Sequence, residues 1–211
     1  MPRVVDRAER RRDITYAALR LMSTRGPAAL TLRGLADELG GSITLVTHFY
    51  RNRAELLEGI ASQLIDDYDA QLADLEKGAD AETRLRLLLE WMLPLSQEAR
   101  NEERARVLLN AERHSDLHVQ SFFEAMDRKM RALLRDHVAP LVEPASVGVT
   151  VDALRVMVNG VVLSAVEHPR KWPGKRQLAL LEHMLGCLGL GKSQLALMSA
   201  TPEAAIAVGR P

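Results

Sequence analysis

Residues 31–57 read TLRGLADELGGSITLVTHFYRNRAELL, and the punctuation of this stretch decides the fold. Leu32, Leu35, Ala36 and Leu39 recur at helical spacing, which predicts a short amphipathic helix over Leu32–Leu39. Gly40-Gly41 ends it, because glycine accepts the left-handed backbone of a sharp helix stop. Ser42 is a natural N-cap for a second helix running from Ile43 to about Tyr50. On that helix Ile43, Val46 and Tyr50 share one side, while Thr44, Thr47, His48 and Arg51 fall largely on the other. A short helix with an apolar back and a hydrogen-bonding front, set after a tight turn, suits a DNA major groove. Asn52 then caps a third helix, with Glu55 placed to reach back as in a capping box. Arg53 opposes the dipole at that helix start, and a phosphate shared between its guanidinium and the free N–H groups would explain it.

Outward from this stretch, the chain is a series of amphipathic segments. Helix 1 is expected over Arg7–Arg25, buried through Ile14, Ala17, Ala18, Leu21 and Met22, and stopped by Gly26-Pro27. Before it, Arg3, Arg7 and Arg10–Arg12 form either a solvated tail or a basic arm that touches DNA. A long connector over about Arg53–Lys77 follows the quoted stretch. The body helices are expected at about 81–93, 101–114, 117–141, 150–168 and 175–190, separated by Pro94, Pro140, Pro144, Pro169 and Pro173. The tail from Gly191 is loose apart from a short turn near 203–208.

The 211 residues are 47% apolar and 27% charged, with eight aromatic side chains and abundant Leu, Ala, Arg and Glu, which favours an all-α fold of about nine helices. Net charge is zero, but residues 1–53 carry ten arginines against five acidic residues. A basic end on an acidic body fits one end facing phosphate. Cys187 stands alone in an apolar run, so it forms no internal disulfide and reads as a buried, inert thiol. No signal peptide precedes helix 1 and no run of about 18 apolar residues is uninterrupted, which implies a cytoplasmic protein. No phosphate loop, nucleophile elbow or Cys/His cluster is present, and pairs such as Asp66-Asp67 and Glu102-Glu103 do not face each other on a helix, so no enzyme, cofactor or metal is implied. His114 and His118 are separated by a break at Ser115-Asp116, which spoils them as metal ligands.

Residues of about 10–57 resemble the DNA-binding domain of the tetracycline-repressor (TetR) family of bacterial transcription regulators. The resemblance is carried by the helix closing at Arg25-Gly26, Thr31-Leu32, Ala36, Gly40, Ser42, His48-Phe49-Tyr50, Arg53 and Glu55-Leu56-Leu57. The chain departs from the family pattern at Ile43, Thr44, Thr47 and the Phe49-Tyr50 order, so the operator sequence is not legible. The resemblance implies a helix-turn-helix domain over 1–52, a connector over 53–77, an effector-binding and dimerisation domain over 78–190, and a tail over 191–211. It implies a repressor released from a palindromic double-stranded DNA operator by a small molecule, with Thr31, Arg33, Ser42, Thr44, Thr47, His48, Phe49 and Arg53 touching DNA.

The resemblance also implies a homodimer built by the last two helices, through Val158, Val161, Ser164, Ala165, Leu178, Leu181, Leu185 and Leu188. Independently, both helices are more broadly apolar than one face of a small domain can bury, so they lie either at its centre or against another chain. Trp91, Met92, Phe123 and Met126 are adaptable apolar residues that fit a lipophilic or aromatic effector or an ordinary core. Asn110, His114 and Asn159 would contact that effector or bond between helices. An all-helical ligand- or protein-binding module with a degenerate DNA-binding head is the alternative.

Overall fold

The computed structural model describes residues 7–191, and among them the chain forms nine α-helices and no strand. These are α1 (Arg7–Arg25), α2 (Leu32–Glu38), α3 (Ile43–Thr47), α4 (Arg53–Leu75), α5 (Ala81–Trp91), α6 (Gln97–Asn110), α7 (Leu117–Val138), α8 (Val147–Glu167) and α9 (Gly174–Cys187). The expected tail beyond Gly191 and the arginine at position 3 lie outside the described residues.

Side-chain caps fix most helix starts. Thr31 accepts from Gly34 N–H, Asn52 from Glu55, Asp80 from Thr83, Ser96 from Ala99, and Asp116 from both His118 and Val119. The Ser96 cap starts α6 four residues earlier than its apolar pattern suggests, because Gln97–Arg100 add turns with no buried stripe. Gly40 at φ 63° makes the sharp exit from α2. Glu55 reaches back, but to the N–H of Arg51 at 2.9 Å, one residue before the cap.

Packing divides into two apolar clusters. The first joins Ile14, Leu21, Leu35, Val46, Tyr50, Leu57 and Ile60 of the N-terminal helices to Ala105 and Leu109 of α6 and Val119, Phe122 and Phe123 of α7. The second holds α5, α8 and α9 around the C-terminal half of α7 through Leu85, Leu89, Leu134, Leu154, Val158 and Leu181. Tyr68 of α4 packs against both. The 23-residue α4, about 35 Å long at 1.5 Å per residue, therefore runs from one cluster to the other.

Buried polar groups staple the body. His137 Nε2 and Glu76 Oε1 lie 2.6 Å apart, Glu76 also accepts from Arg84, and the His137 Nδ1 lies 2.7 Å from Leu133 O. The fully buried Gln177 donates to Pro94 O and Trp172 O, fastening α9 to the loop that follows α5.

Pro144–Glu167 is long and apolar enough, by length and composition alone, to cross a bilayer. Val151, Leu154, Val158, Val161, Val162 and Ala165 are nevertheless seated in the protein interior. This corrects the expected interface: Val158, Val161 and Ala165 of α8, with Leu181 and Leu185 of α9, are core residues of the protomer. The outward stripe is instead Val149, Val156 and Leu163, 68%, 71% and 44% exposed and seven residues apart. Ser164 and Leu178 are half-buried, and Leu188 remains exposed. Cys187 is exposed rather than buried, because it lies off the Leu181–Leu185 side of α9, with His183 Nε2 3.6 Å from its sulfur.

Candidate functional site

The surface of α3 is short and open. Val46 is fully buried, and Tyr50, just past the helix, is 4% exposed with its ring laid on Gly59 of α4. Burial in that contact raises the Tyr50 hydroxyl pKa above its ordinary value. These two anchors leave Thr44, Thr47 and His48 facing solvent. Ile43 joins them at 45% exposure, contrary to its expected place on the apolar back. The helix ends at Thr47, so a spacing read through to Tyr50 does not describe one continuous face.

The other expected contact residues divide. Thr31 and Arg33 are exposed at the start of α2, and the exposed Ser42 makes no side-chain capping bond. Phe49 is half-buried against the first cluster and meets the His48 ring edge-on at 5.3 Å, so it props His48 rather than facing outward. Arg51, which precedes the cap, is exposed.

Arg53 has a different employment from the one expected. Its Nη1 donates to Asp116 at 2.5 Å and its Nη2 to Glu112 at 2.8 Å. Glu112 lies in the 3-10 turn Ala111–His114 that ends α6, and Asp116 caps α7. Burial alone would raise the Asp116 carboxyl, but the N–H groups of His118 and Val119 and the Arg53 guanidinium outweigh it and hold it below the usual range. A guanidinium gripped by two carboxylates is not available as a free phosphate ligand. In the basic segment, Arg10 pairs with Asp13 and Arg12 with Asp67, whereas Arg7 and Arg11 are exposed.

A chamber of about 360 Å³ opens between α1, α4, α5, α6, α7 and α8. Of the residues weighed as effector contacts or core, Trp91, Met92, Phe123, Met126 and Asn159 line it. Asn110 lines only an adjoining hollow, and His114 lines neither because it is exposed in the turn after α6. Tyr68 and Trp91 meet edge to face at 4.8 Å, and the Trp91 indole donates to Gln71 at 3.3 Å. Burial raises the Tyr68 hydroxyl pKa far above its ordinary value, so it stays protonated. Tyr16, Tyr68, Gln71, Glu102, Arg106, Asp127 and Arg155 are lining residues that the sequence did not reveal. Glu102, Arg106 and Leu109 are spaced for one helix face, but α6 is too polar for periodicity to tell which face turns inward. Among the described residues, no group of three His, Cys, Asp or Glu is placed to hold a metal.

Comparison with known proteins covers both ends of the chain. Residues 81–188 match the family model described as BetI-type transcriptional repressor, C-terminal, and residues 14–60 match that of the bacterial regulatory proteins, tetR family. The HTH-type transcriptional regulator PksA of Bacillus subtilis (strain 168) is 26% identical over 181 residues, which is 80% of this chain and 84% of that protein. A transcriptional regulator from Rhodococcus sp. Rha1 superposes with TM-score 0.71 at 20% identity, over 86% of this chain and 95% of that one. A candidate transcriptional regulator from Saccharomonospora viridis, solved in complex with choline, gives TM-score 0.68 at 22% identity, over 85% and 97%.

Proposed function

From the premise that this chain belongs to the TetR family of bacterial transcription regulators, we propose that it is a dimeric repressor which a small ligand releases from a palindromic operator. The observation that carries this reading is the joining of an outward polar helix to a ligand-sized chamber by one continuous apolar cluster. Ile43, Thr44, Thr47 and His48 stand clear of the core, while Leu109 and Phe122 belong both to the cluster that seats α3 and to the chamber wall.

In this reading the division is a DNA-binding domain over 1–52, a connector over 53–77 and an effector and dimerisation domain over 78–190. Thr31 and Ser42 serve phosphates at helix starts, and Thr44, Thr47 and His48 reach base edges. Ile43 offers its hydrocarbon to a thymine methyl. Arg33 and Arg51 replace Arg53 as the phosphate-facing cations of this surface. The stripe Val149–Val156–Leu163, with Gly160 between, is the α8 half of the dimer seam. A Cβ on Gly160 would meet nothing within 4 Å, so the protomer leaves room there for another helix. Two-fold symmetry then sets two α3 helices on half-sites about 34–36 Å apart. Such a partner places the protein's work in the cytoplasm.

A small-molecule effector is supported by the chamber and by the similar S. viridis protein, which was solved in complex with choline. The apolar and aromatic lining favours a lipophilic or aromatic body for the effector. Salt-titrated binding to the DNA upstream of the protein's own coding region tests the reading. A regulator loses affinity log-linearly with salt, at a slope of about −0.9 per phosphate contacted, and prefers its own site over random DNA. Weak, sequence-blind association would instead mark a ligand-binding module with a degenerate head.

A further inference from the structure

The chamber does not end at its apolar walls. A second hollow of about 560 Å³ adjoins it, and Arg106, Phe123, Asp127, Arg155 and Asn159 line both. The two spaces differ in chemistry. Leu109, Phe122, Met126, Met130 and Val162 give the first its hydrocarbon. The second is rimmed by Arg106, Arg113, Arg128 and Arg155, against only two carboxylates, Glu124 and Asp127.

The pairing of these groups decides what the vestibule can take. Arg106 donates to Glu103 at 2.6 Å. Arg155 donates to Asp127 and Asn159, both at 2.9 Å. Asp127 also accepts from Arg131, and Glu124 accepts from Gln120. Arg113 and Arg128 line the same vestibule and, among the described residues, neither has an ion-pair partner. Two positive charges are therefore left on its rim. Glu102, also without a cationic partner among the described residues, lines the chamber one helical turn before Arg106 on α6. A long molecule that fills both spaces meets hydrocarbon in the chamber and two uncompensated guanidinium groups on the vestibule rim.

We propose that the effector is an amphipathic anion, with its carboxylate or phosphate held in the vestibule by Arg113 and Arg128 and its hydrocarbon in the chamber. This rests on the reading of the chamber as the effector site. Guanidinium forks suit planar or tetrahedral oxyanions. Leu163 of the outward α8 stripe also lines the vestibule, so its mouth lies beside the proposed dimer seam.

The test uses the full chain carrying Trp172→Phe, which leaves Trp91 in the chamber wall as the sole tryptophan reporter. It is titrated below micelle formation with decyl phosphate, decanoate, decanol and decyltrimethylammonium. Either anion should perturb Trp91 emission at concentrations about tenfold or more below those needed for decanol. The ammonium should bind more weakly than decanol. Which of phosphate and decanoate binds tighter identifies the oxyanion. Arg113→Ala with Arg128→Ala should erase the anion's advantage and leave the decanol titration unchanged, with the fold checked by far-UV circular dichroism. Arg113→Glu with Arg128→Glu should move the preference to the ammonium. Tighter binding of the ammonium by the Trp172→Phe protein, or an anion preference that survives the alanine pair, overturns the proposal. Decanol binding with no head-group preference overturns it while leaving the chamber as effector site. Silence of Trp91 toward all four overturns both.

Discussion

Arg53→Met isolates the link between the start of α4 and the α6–α7 turn. The substitution keeps a long apolar stem and removes the charge that bridges Glu112 and Asp116 at 2.8 and 2.5 Å. Exposed pairs of this kind contribute about 0.2–1 kcal/mol each, and these side chains are 27–37% exposed, so solvent screening keeps the value within that range. Two such pairs, plus the repulsion left between two unneutralised carboxylates, give a loss of about 1–2 kcal/mol at neutral pH. At about 2–4 °C per kcal/mol for a chain of this size, the melting midpoint should fall by about 2–8 °C. The pH dependence has a definite sign. The Asp116 pKa is depressed in the folded state, so its contribution is present above the unfolded carboxylate pKa of about 3.9 and lost as pH falls through the folded value. The difference between wild type and Arg53→Met should therefore be full at pH 7 and shrink as pH drops below about 4. Thermal melts followed by circular dichroism at both pH values read this directly. DNA binding by the variant should weaken without change in salt slope, because the guanidinium serves the body and not a phosphate. A midpoint difference that is absent at pH 7 or undiminished in acid, or a salt slope flattened by about 0.9, would refute this assignment.

Three further outcomes follow from the packing. Gly59→Ala places a methyl group against the Tyr50 ring and should destabilise the protein by about 1–3 kcal/mol, read by urea denaturation. Val156→Asp puts a charge on the outward α8 stripe, where the protomer core is not disturbed. It should yield folded monomer in sedimentation velocity, whereas Val158→Asp should unfold the chain because Val158 is a core residue. Leu134→Ala, at a fully buried site on α7, should cost about 2–5 kcal/mol in the same denaturation assay.

What the sequence discloses depends on how far apart the deciding residues lie. The limits of α1 and the starts of α2, α3, α4 and α5 are legible because caps and glycines act within a few positions. The inward face of α8 is not. That helix is apolar on most sides, with Asp152, Arg155 and Asn159 as its polar exceptions, so periodicity alone cannot rank Val158, Val161 and Ala165 against Val149, Val156 and Leu163. Ile43 is misplaced for the opposite reason, since a helix of five residues is too short to hold a phase through Tyr50. Arg53 reads as a phosphate ligand from its neighbours, and only the fold brings Glu112 and Asp116 to it from about sixty residues away. Trp91, Met92, Phe123 and Met126 of the chamber wall stand out in the sequence only as adaptable apolar residues, which fit a core as well as a cavity. The charged half of the chamber does not stand out, because arginines and carboxylates on α6 and α7 read as ordinary solvated faces.

The central claim is that the outward face of α3 reads DNA while the rest of the chain positions it. Its most direct measurement compares binding to the protein's own operator and to random duplex for wild type and for the triple variant Ile43→Ala, Thr47→Ala, His48→Ala. The account predicts that specific affinity falls by about tenfold or more, each good base contact being worth about 1–3 kcal/mol, while random-duplex affinity and its salt slope stay unchanged. Undiminished operator affinity in that variant, with fold intact, would mean that another surface enters the groove.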